Sequence, residues 1–330
     1  MIKIGNIELP EFPLLLAPME DVSDPPYRRL CKLHGADMMY SEFISSEGLI
    51  RDAMKSKQKL DIFDYERPVG IQIFGGDEEA MSLSAKIVET VNPDIVDINF
   101  GCPVKKVVCK GAGAGVLKDI ELMVRLTKAV VNSTSLPVTV KTRLGWDTPS
   151  INIMDVAERL QDCGIKALTI HARTRAQMYK GEADWDHISE VKQNPNIEIP
   201  IFGNGDINSP EKALEYKQKY ACDGIMIGRA AIGYPWIFNE IKHFFETGEK
   251  LPEPTIEQRL EAVQQHAIWS ADWKGEKLGM IEMRQHYSNY FRGIPHFKDH
   301  RRKFLEVITL SEMQDLIGQT QEFYREFEMG

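Results

Sequence analysis

The chain has 330 residues, 43% hydrophobic and 27% charged, with 49 acidic against 40 basic side chains and a formal net charge of −9. That length suits one barrel-sized domain plus a smaller appendage, and no run of about 18 apolar residues offers a membrane span. The acidic balance gives no global signal for a polyanionic partner, although a local basic face can serve inside an acidic protein.

The five cysteines, Cys31, Cys102, Cys109, Cys163 and Cys222, are odd in number and scattered. They fit reduced thiols better than a disulfide framework, and none has zinc-site spacing. The opening Met1-Ile2-Lys3-Ile4-Gly5-Asn6-Ile7 lacks the charged-then-apolar layout of a signal peptide, so a cytoplasmic protein is expected.

From Phe12 onward short apolar runs alternate with longer amphipathic segments, the pattern of βα units around a parallel core. Strands are predicted over Leu14–Ala17, Asp37–Ser41, Val69–Phe74, Asp94–Ile98, Val138–Lys141, Ala167–His171, Ile199–Phe202 and Asp223–Ile227. Helical patterns lie between them, among them Glu78–Val91, Ile120–Val131, Met154–Cys163 and Pro210–Tyr220, the last with Ser209 as N-cap and Pro210 at the first helical position. Eight such units within about 230 residues match a closed (β/α)8 TIM barrel. A doubly wound open sheet is the alternative, but no G-x-G-x-x-G follows the first strand.

The alternation stops after Ile227. Residues Gly228–Phe245 read as a closing helical region, Thr247–Pro254 as a linker, and helices are predicted near Ile256–Trp273, Lys277–Phe291, His300–Ile308 and Ser311–Phe327. The expected plan is a barrel over 1–246, a linker over 247–254 and a small C-terminal α-helical domain over 255–330.

The residues where each predicted strand runs out are rich in chemistry. They are Ala17-Pro18-Met19, Gln72 with Gly75-Gly76, Asn99 with Cys102, Lys141 with Arg143, His171 with Arg173, Asn204-Gly205-Asp206 and Gly228-Arg229. In a parallel barrel this is the end where catalytic groups collect, and the last two loops are where a phosphate is usually held. Alone, Cys102 reads better as a small half-buried residue than as a catalytic one. Lys141 reads as a Schiff-base lysine, an ion-paired bystander, or the fixed cation beside a flavin ring, with Gln72 at the pyrimidine rim.

These blocks together resemble the bacterial tRNA-dihydrouridine synthases. The match runs in order through Ala17-Pro18-Met19, Val69–Gly75, Asn99-Phe100-Gly101-Cys102-Pro103, Val140–Gly145, Ile170–Thr174, Asn204-Gly205-Asp206 and Gly228-Arg229-Ala230, with Met178–Gly181 and Ala183-Asp184-Trp185 besides. The resemblance implies an enzyme using FMN and NADPH to reduce a uridine of tRNA to 5,6-dihydrouridine, hydride arriving at C6 and Cys102 protonating C5. Ala17, Pro18, Met19, Gln72, Lys141, His171, Asn204, Gly205, Asp206, Gly228 and Arg229 would bind FMN, and Asn99 and Arg143 would face the uridine. A proton donor must keep its proton near neutral pH, so this thiol is not expected to have a strongly depressed pKa. The Gly-rich Val107–Gly115 reads as a mobile loop, with Cys109 structural.

Between Arg284 and Lys303 stand Arg284, Arg292, Lys298, Arg301, Arg302 and Lys303 against Asp299 alone, a basic face suited to RNA phosphates. The interleaved Tyr287, Tyr290, Phe291 and Phe297 read better as core than as stacking platforms. Further cations, Lys105, Lys106, Lys110, Arg173, Arg175 and Lys180, would rim the mouth. No metal, protein partner or oligomer is implied, and a monomer is expected. Two other readings stay open: a flavin barrel acting on a free pyrimidine, and a tRNA-binding barrel without catalysis.

Overall fold

The computed structural model describes residues 1–329, with side chains through residue 326. Gly330, the last residue of the expected helical domain, lies outside them. Eight parallel strand positions form the centre: β3 (Leu14–Leu16), β4 (Met39–Tyr40), β6 (Val69–Phe74), β7 (Ile95–Asn99), β8 (Val138–Arg143), β9 (Ala167–His171), β10 (Ile201–Asn204) and β11 (Gly224–Ile227). They pair in the order β3-β11-β10-β9-β8-β7-β6-β4. A parallel bridge from Leu15 to Met38, with Leu16 N–H donating to Met38 O at 2.9 Å, joins the two ends into a (β/α)8 barrel.

Two features escape the sequence reading. The first is an antiparallel hairpin of β1 (Ile2–Ile4) and β2 (Ile7–Leu9), which turns on Gly5 at φ +61°. Its Ile4 and Leu9 pack with Leu15, Met38, Ile95, Phe202 and Met226, so the hairpin plugs the N-terminal floor of the barrel. The second is β5 (Ile44–Ser45), which pairs with β6 beyond β4, so the second barrel strand is split in two. The seventh strand also ends later than predicted, carrying Asn204 on the strand rather than in the following loop.

Helices alternate with these strands because their apolar residues recur at helical spacing and their starts are capped. Asp24 caps Pro25–Leu33, Asp77 caps Glu78–Thr90, Asp119 caps Ile120–Val131 and Ser209 caps Pro210–Tyr220. Helices Ile153–Asp162, Asp186–Gln193 and Ile237–Thr247 complete the outer layer.

After residue 255 the described chain is helical: Ile256–Lys274, Glu276–Glu282, Arg284–Tyr290, Lys298–Phe304 and Leu310–Met329. The single helix expected over 277–291 is interrupted at Met283. This region packs on the first barrel helix, where the Tyr27 ring lies 5.3 Å from His266 and 4.7 Å from His286. Lys274 pairs with Asp24 across the same junction at 2.6 Å. Tyr287, Tyr290, Phe291, Phe297 and Phe304 are all buried, so these aromatics are core.

Candidate active site

Strand register brings the chemical residues to one end of the barrel. Gln72 stands opposite Asp97, Asn99 opposite Lys141, Arg143 opposite His171, and Asn204 opposite both His171 and Met226. Side chains two apart on a strand share a face, so Asp97 and Asn99, like Thr139 and Lys141, form successive inward layers.

Cys102 follows β7 directly and is 7% exposed. Its backbone N–H donates to Asn99 Oδ1 at 2.8 Å, and the Gly101 N–H donates to the same oxygen at 2.9 Å. Asn99 Nδ2 donates to Gln72 Oε1 at 2.7 Å, and Gln72 Nε2 donates to Asp97 Oδ2 at 2.6 Å. Burial pushes the Cys102 thiol up, partly countered by the Val104 backbone and Arg143. The thiol therefore holds its proton at neutral pH, as a donor should.

The segment after Cys102 is folded onto it. A short helix (Lys105–Val108) leads into a 3-10 turn (Gly113–Lys118), and Ala114 N–H donates to Cys102 O at 3.0 Å. Cys109, expected to be a packing residue, is exposed at the end of that short helix. One helical turn is too short to turn every side chain inward.

Cations crowd the rest of the mouth. Lys141 Nζ donates to Asn204 Oδ1 at 3.1 Å, and Asn204 Nδ2 to Met226 O at 2.8 Å. Burial, then the neighbouring Arg143 charge, brings Lys141 down to about 8. Arg143 is itself buried, with Nε donating to Gly101 O at 2.7 Å and Nη1 to Thr174 O and Met178 O at 3.1 and 2.9 Å. It ties the cysteine loop to the loop after β9. Burial and the surrounding cations hold His171 well below its ordinary value, so its ring is neutral.

Asp206 organises the far side. Its carboxylate accepts from Arg173 Nη2 at 2.6 Å, from Ala183 N–H at 2.8 Å and from Arg229 Nη2 at 3.2 Å. Gly205 at φ +129° and Asp206 at φ +58° form the turn between β10 and the next helix. Gly228 leaves space that a Cβ would fill, 3.5 Å from Ala17 Cβ and 3.8 Å from Met19 Sδ. Two buried polar atoms in the region, His171 Nδ1 and Arg173 Nη1, have no protein partner.

Of the basic residues, Lys180, Arg301 and Arg302 are exposed, while Arg173 is buried. Arg284 is half-buried, with its Nε unpaired. Two neighbours of the site had not been singled out from the sequence. Asp97 was visible as an acid at period two from Asn99 within an apolar run. Tyr179, whose ring lies 5.5 Å from the Arg143 guanidinium and 5.0 Å from that of Arg229, gave no signal of its own beyond its motif.

A closed parallel barrel that gathers buried cations, amides and a protonated thiol at its C-terminal strand ends is built as a barrel enzyme. Solved structures share the fold. Histamine dehydrogenase from Rhizobium sp. 4-9 aligns with TM-score 0.55 at 12% identity, over 81% of this chain and 50% of that one. The 6-hydroxypseudooxynicotine amine oxidase of Pseudomonas geniculata N1 aligns at 0.57 and 13%, over 73% and 48%. At such identity they speak for the architecture alone.

Sequence comparison identifies the family. The dihydrouridine synthase family model matches residues 15–327. The tRNA-dihydrouridine synthase B of Vibrio vulnificus is 42% identical over 304 residues, covering 92% of this chain and 93% of that protein. The probable tRNA-dihydrouridine synthase of Rickettsia bellii is 40% identical over 302 residues, covering 91% and 92%. The chain belongs to the dihydrouridine synthase family.

Proposed function

We propose that this protein reduces specific uridines of tRNA to 5,6-dihydrouridine, using FMN and NADPH, with Cys102 as the proton donor. The relatives named above carry tRNA-dihydrouridine synthase in their names. The observation that carries the mechanism is the Cys102 thiol, raised by burial and held at the same barrel end as Lys141.

The mouth fits a flavin phosphate. His171 Nδ1 and Arg173 Nη1 are buried and unpartnered, and Gly228 leaves room beside Ala17 and Met19. FMN would be held by Ala17, Pro18, Met19, Gln72, Lys141, His171, Asn204, Gly205, Asp206, Gly228 and Arg229. When bound and reduced by NADPH, the flavin supplies the hydride for uridine C6. Lys141, held by Asn204, fixes a positive charge at the floor of the site. Asp206 aims Arg173 and Arg229 by accepting from both, leaving Arg173 Nη1 for an anion. Cys102 keeps its proton on Sγ until uridine C5 becomes basic, then transfers it.

Asn99 and Arg143 serve the uridine side by shaping the loop that carries Cys102. A base acted on at its ring must leave its stack, and tRNA loops make that inexpensive. The helical region over 256–329 supplies tRNA contact through the exposed Lys298, Arg301, Arg302 and Lys303, with Lys105, Lys106, Lys110 and Lys180 at the rim.

The test is anaerobic. The protein's flavin is reduced with NADPH, unmodified tRNA or a free pyrimidine is added, and the return of oxidised flavin absorbance is followed. Rapid reoxidation by tRNA alone is expected. Reoxidation by the free pyrimidine would make the protein a small-molecule reductase, and absence of a flavin signal would leave a tRNA-binding barrel.

A further inference from the structure

Asp97 is 1% exposed and lies one layer below Asn99, away from the rim. We infer that Asp97 is a positioning residue for Cys102, the fixed end of a line of hydrogen bonds through Gln72 and Asn99 that holds the backbone of the thiol loop. The inference rests on the proposed role of Cys102 for its catalytic consequence, but not for its geometry.

The line has one sense only. Thr139 Oγ1 donates to Asp97 Oδ1 at 2.5 Å and Gln72 Nε2 donates to Asp97 Oδ2 at 2.6 Å. An ionised carboxylate accepts and never donates, so Gln72 must turn its nitrogen down and its oxygen up. That oxygen accepts from Asn99 Nδ2, which leaves Asn99 Oδ1 facing the Gly101 and Cys102 N–H groups. Backbone N–H groups donate and never accept. Both ends therefore dictate the same orientation of the two amides, and reversing either amide would set donor against donor and oxygen against oxygen.

What the line needs at position 97 is an acceptor of the right reach. Asparagine supplies one, giving Oδ1 to Gln72 and donating from Nδ2 to Thr139 Oγ1. Alanine supplies none, and Gln72 Nε2 is then buried without a partner. Gln72 would rotate to find another, Asn99 would lose its fixed neighbour, and the Cys102 loop would loosen.

The experiment uses the flavin-loaded protein carrying Cys109→Ser, so that the exposed thiol does not interfere, with Asp97→Ala and Asp97→Asn compared. Three quantities are read: the pH profile of Cys102 alkylation by iodoacetamide, kcat and KM on tRNA, and the rate of flavin reduction by NADPH. Asp97→Ala should shift the alkylation profile and lower kcat roughly ten- to hundredfold, beyond any fall in flavin reduction that the displaced Gln72 brings, with KM little changed. Asp97→Asn should restore both profile and kcat to within about threefold of the parent.

A parental profile and kcat in Asp97→Ala would overturn the inference. An Asp97→Asn protein as impaired as Asp97→Ala would also overturn it, making charge rather than an acceptor the requirement. A shifted profile with full turnover on tRNA would keep the line and remove Cys102 as the acid. Should Asp97→Ala not fold, Asp97→Val, suited to a strand and equally without an acceptor, takes its place.

Discussion

Replacing Asp97 by asparagine should make the protein more stable at neutral pH. Burial pushes the Asp97 carboxyl from 3.8 up to about 6, with the Thr139 and Gln72 hydrogen bonds and the Lys141 charge pulling the other way. Because the folded value exceeds the unfolded one, the favourable contribution of Asp97 is complete below pH 3.8 and is lost as pH rises through about 6. The difference is worth about 3 kcal/mol at pH 7.5 and about 1 kcal/mol at pH 4.5. The charged and titratable groups facing Asp97 are Lys141 on β8 and Tyr40 on β4, and Tyr40 is itself raised by burial and by Asp97. The attraction to Lys141 is already contained in that net rise, so its loss takes nothing further from the gain. Urea unfolding followed by tryptophan fluorescence, for both proteins at both pH values, measures it. A variant less stable than wild type at pH 7.5, or a difference that does not shrink in acid, would refute the reasoning.

Three further outcomes are expected. Gly203→Ala would place a Cβ 1.9 Å from the Trp185 ring, which is buried and anchored by Nε1 to Gly205 O at 2.9 Å. A loss of about 3 kcal/mol is expected, and an unchanged melting temperature would show that the ring moves aside freely. At pH 7 iodoacetamide should label Cys109, which is exposed, well before Cys102, which is buried and raised, as read by peptide mass spectrometry. Equal rates would contradict the burial of the proposed acid. Binding of tRNA should weaken steeply with salt, and Arg301→Ala with Arg302→Ala should lower the log–log slope by about 1–2, while an unchanged slope would move the RNA contact elsewhere.

The barrel was legible because each strand–helix unit repeats the same apolar pattern between turn residues. Its ends were less so. The hairpin Ile2–Leu9 has only three residues per strand, too few for alternation to stand out, and its role depends on a barrel floor assembled from distant strands. The split at Ile44–Ser45 is likewise a product of pairing with Val69–Phe74. At the site, motif positions named the residues but not their bonds. Arg143 looks in sequence like a group that reaches for substrate, and the fold adds a second task, since its Nε and Nη1 hold three backbone carbonyls. Asp97 looked like a strand residue, and only the register opposite Gln72 and Thr139 shows that it anchors the amides above it.

Positive charge is concentrated at the mouth, with Asp97 opposing only part of that on Lys141. Lys141 is lowered by burial and by Arg143, Arg143 comes down to about 10 by burial, with Arg173 and Arg175 adding to the fall, and His171 is lowered by burial and by all the cations around it. Asp206 offsets only Arg173 and Arg229. Buried like charges that depress one another favour whatever negative group enters among them. Flavin-free protein should therefore gain more thermal stability from FMN than from riboflavin, which offers the same ring without the phosphate. An entering anion also raises Lys141 back from about 8, so binding at about pH 9 should take up a proton and weaken as pH climbs further. Calorimetry in two buffers of different ionisation enthalpy reads that uptake. Equal stabilisation by riboflavin and FMN would refute the phosphate half of this argument, and binding without proton uptake would refute the half that rests on Lys141.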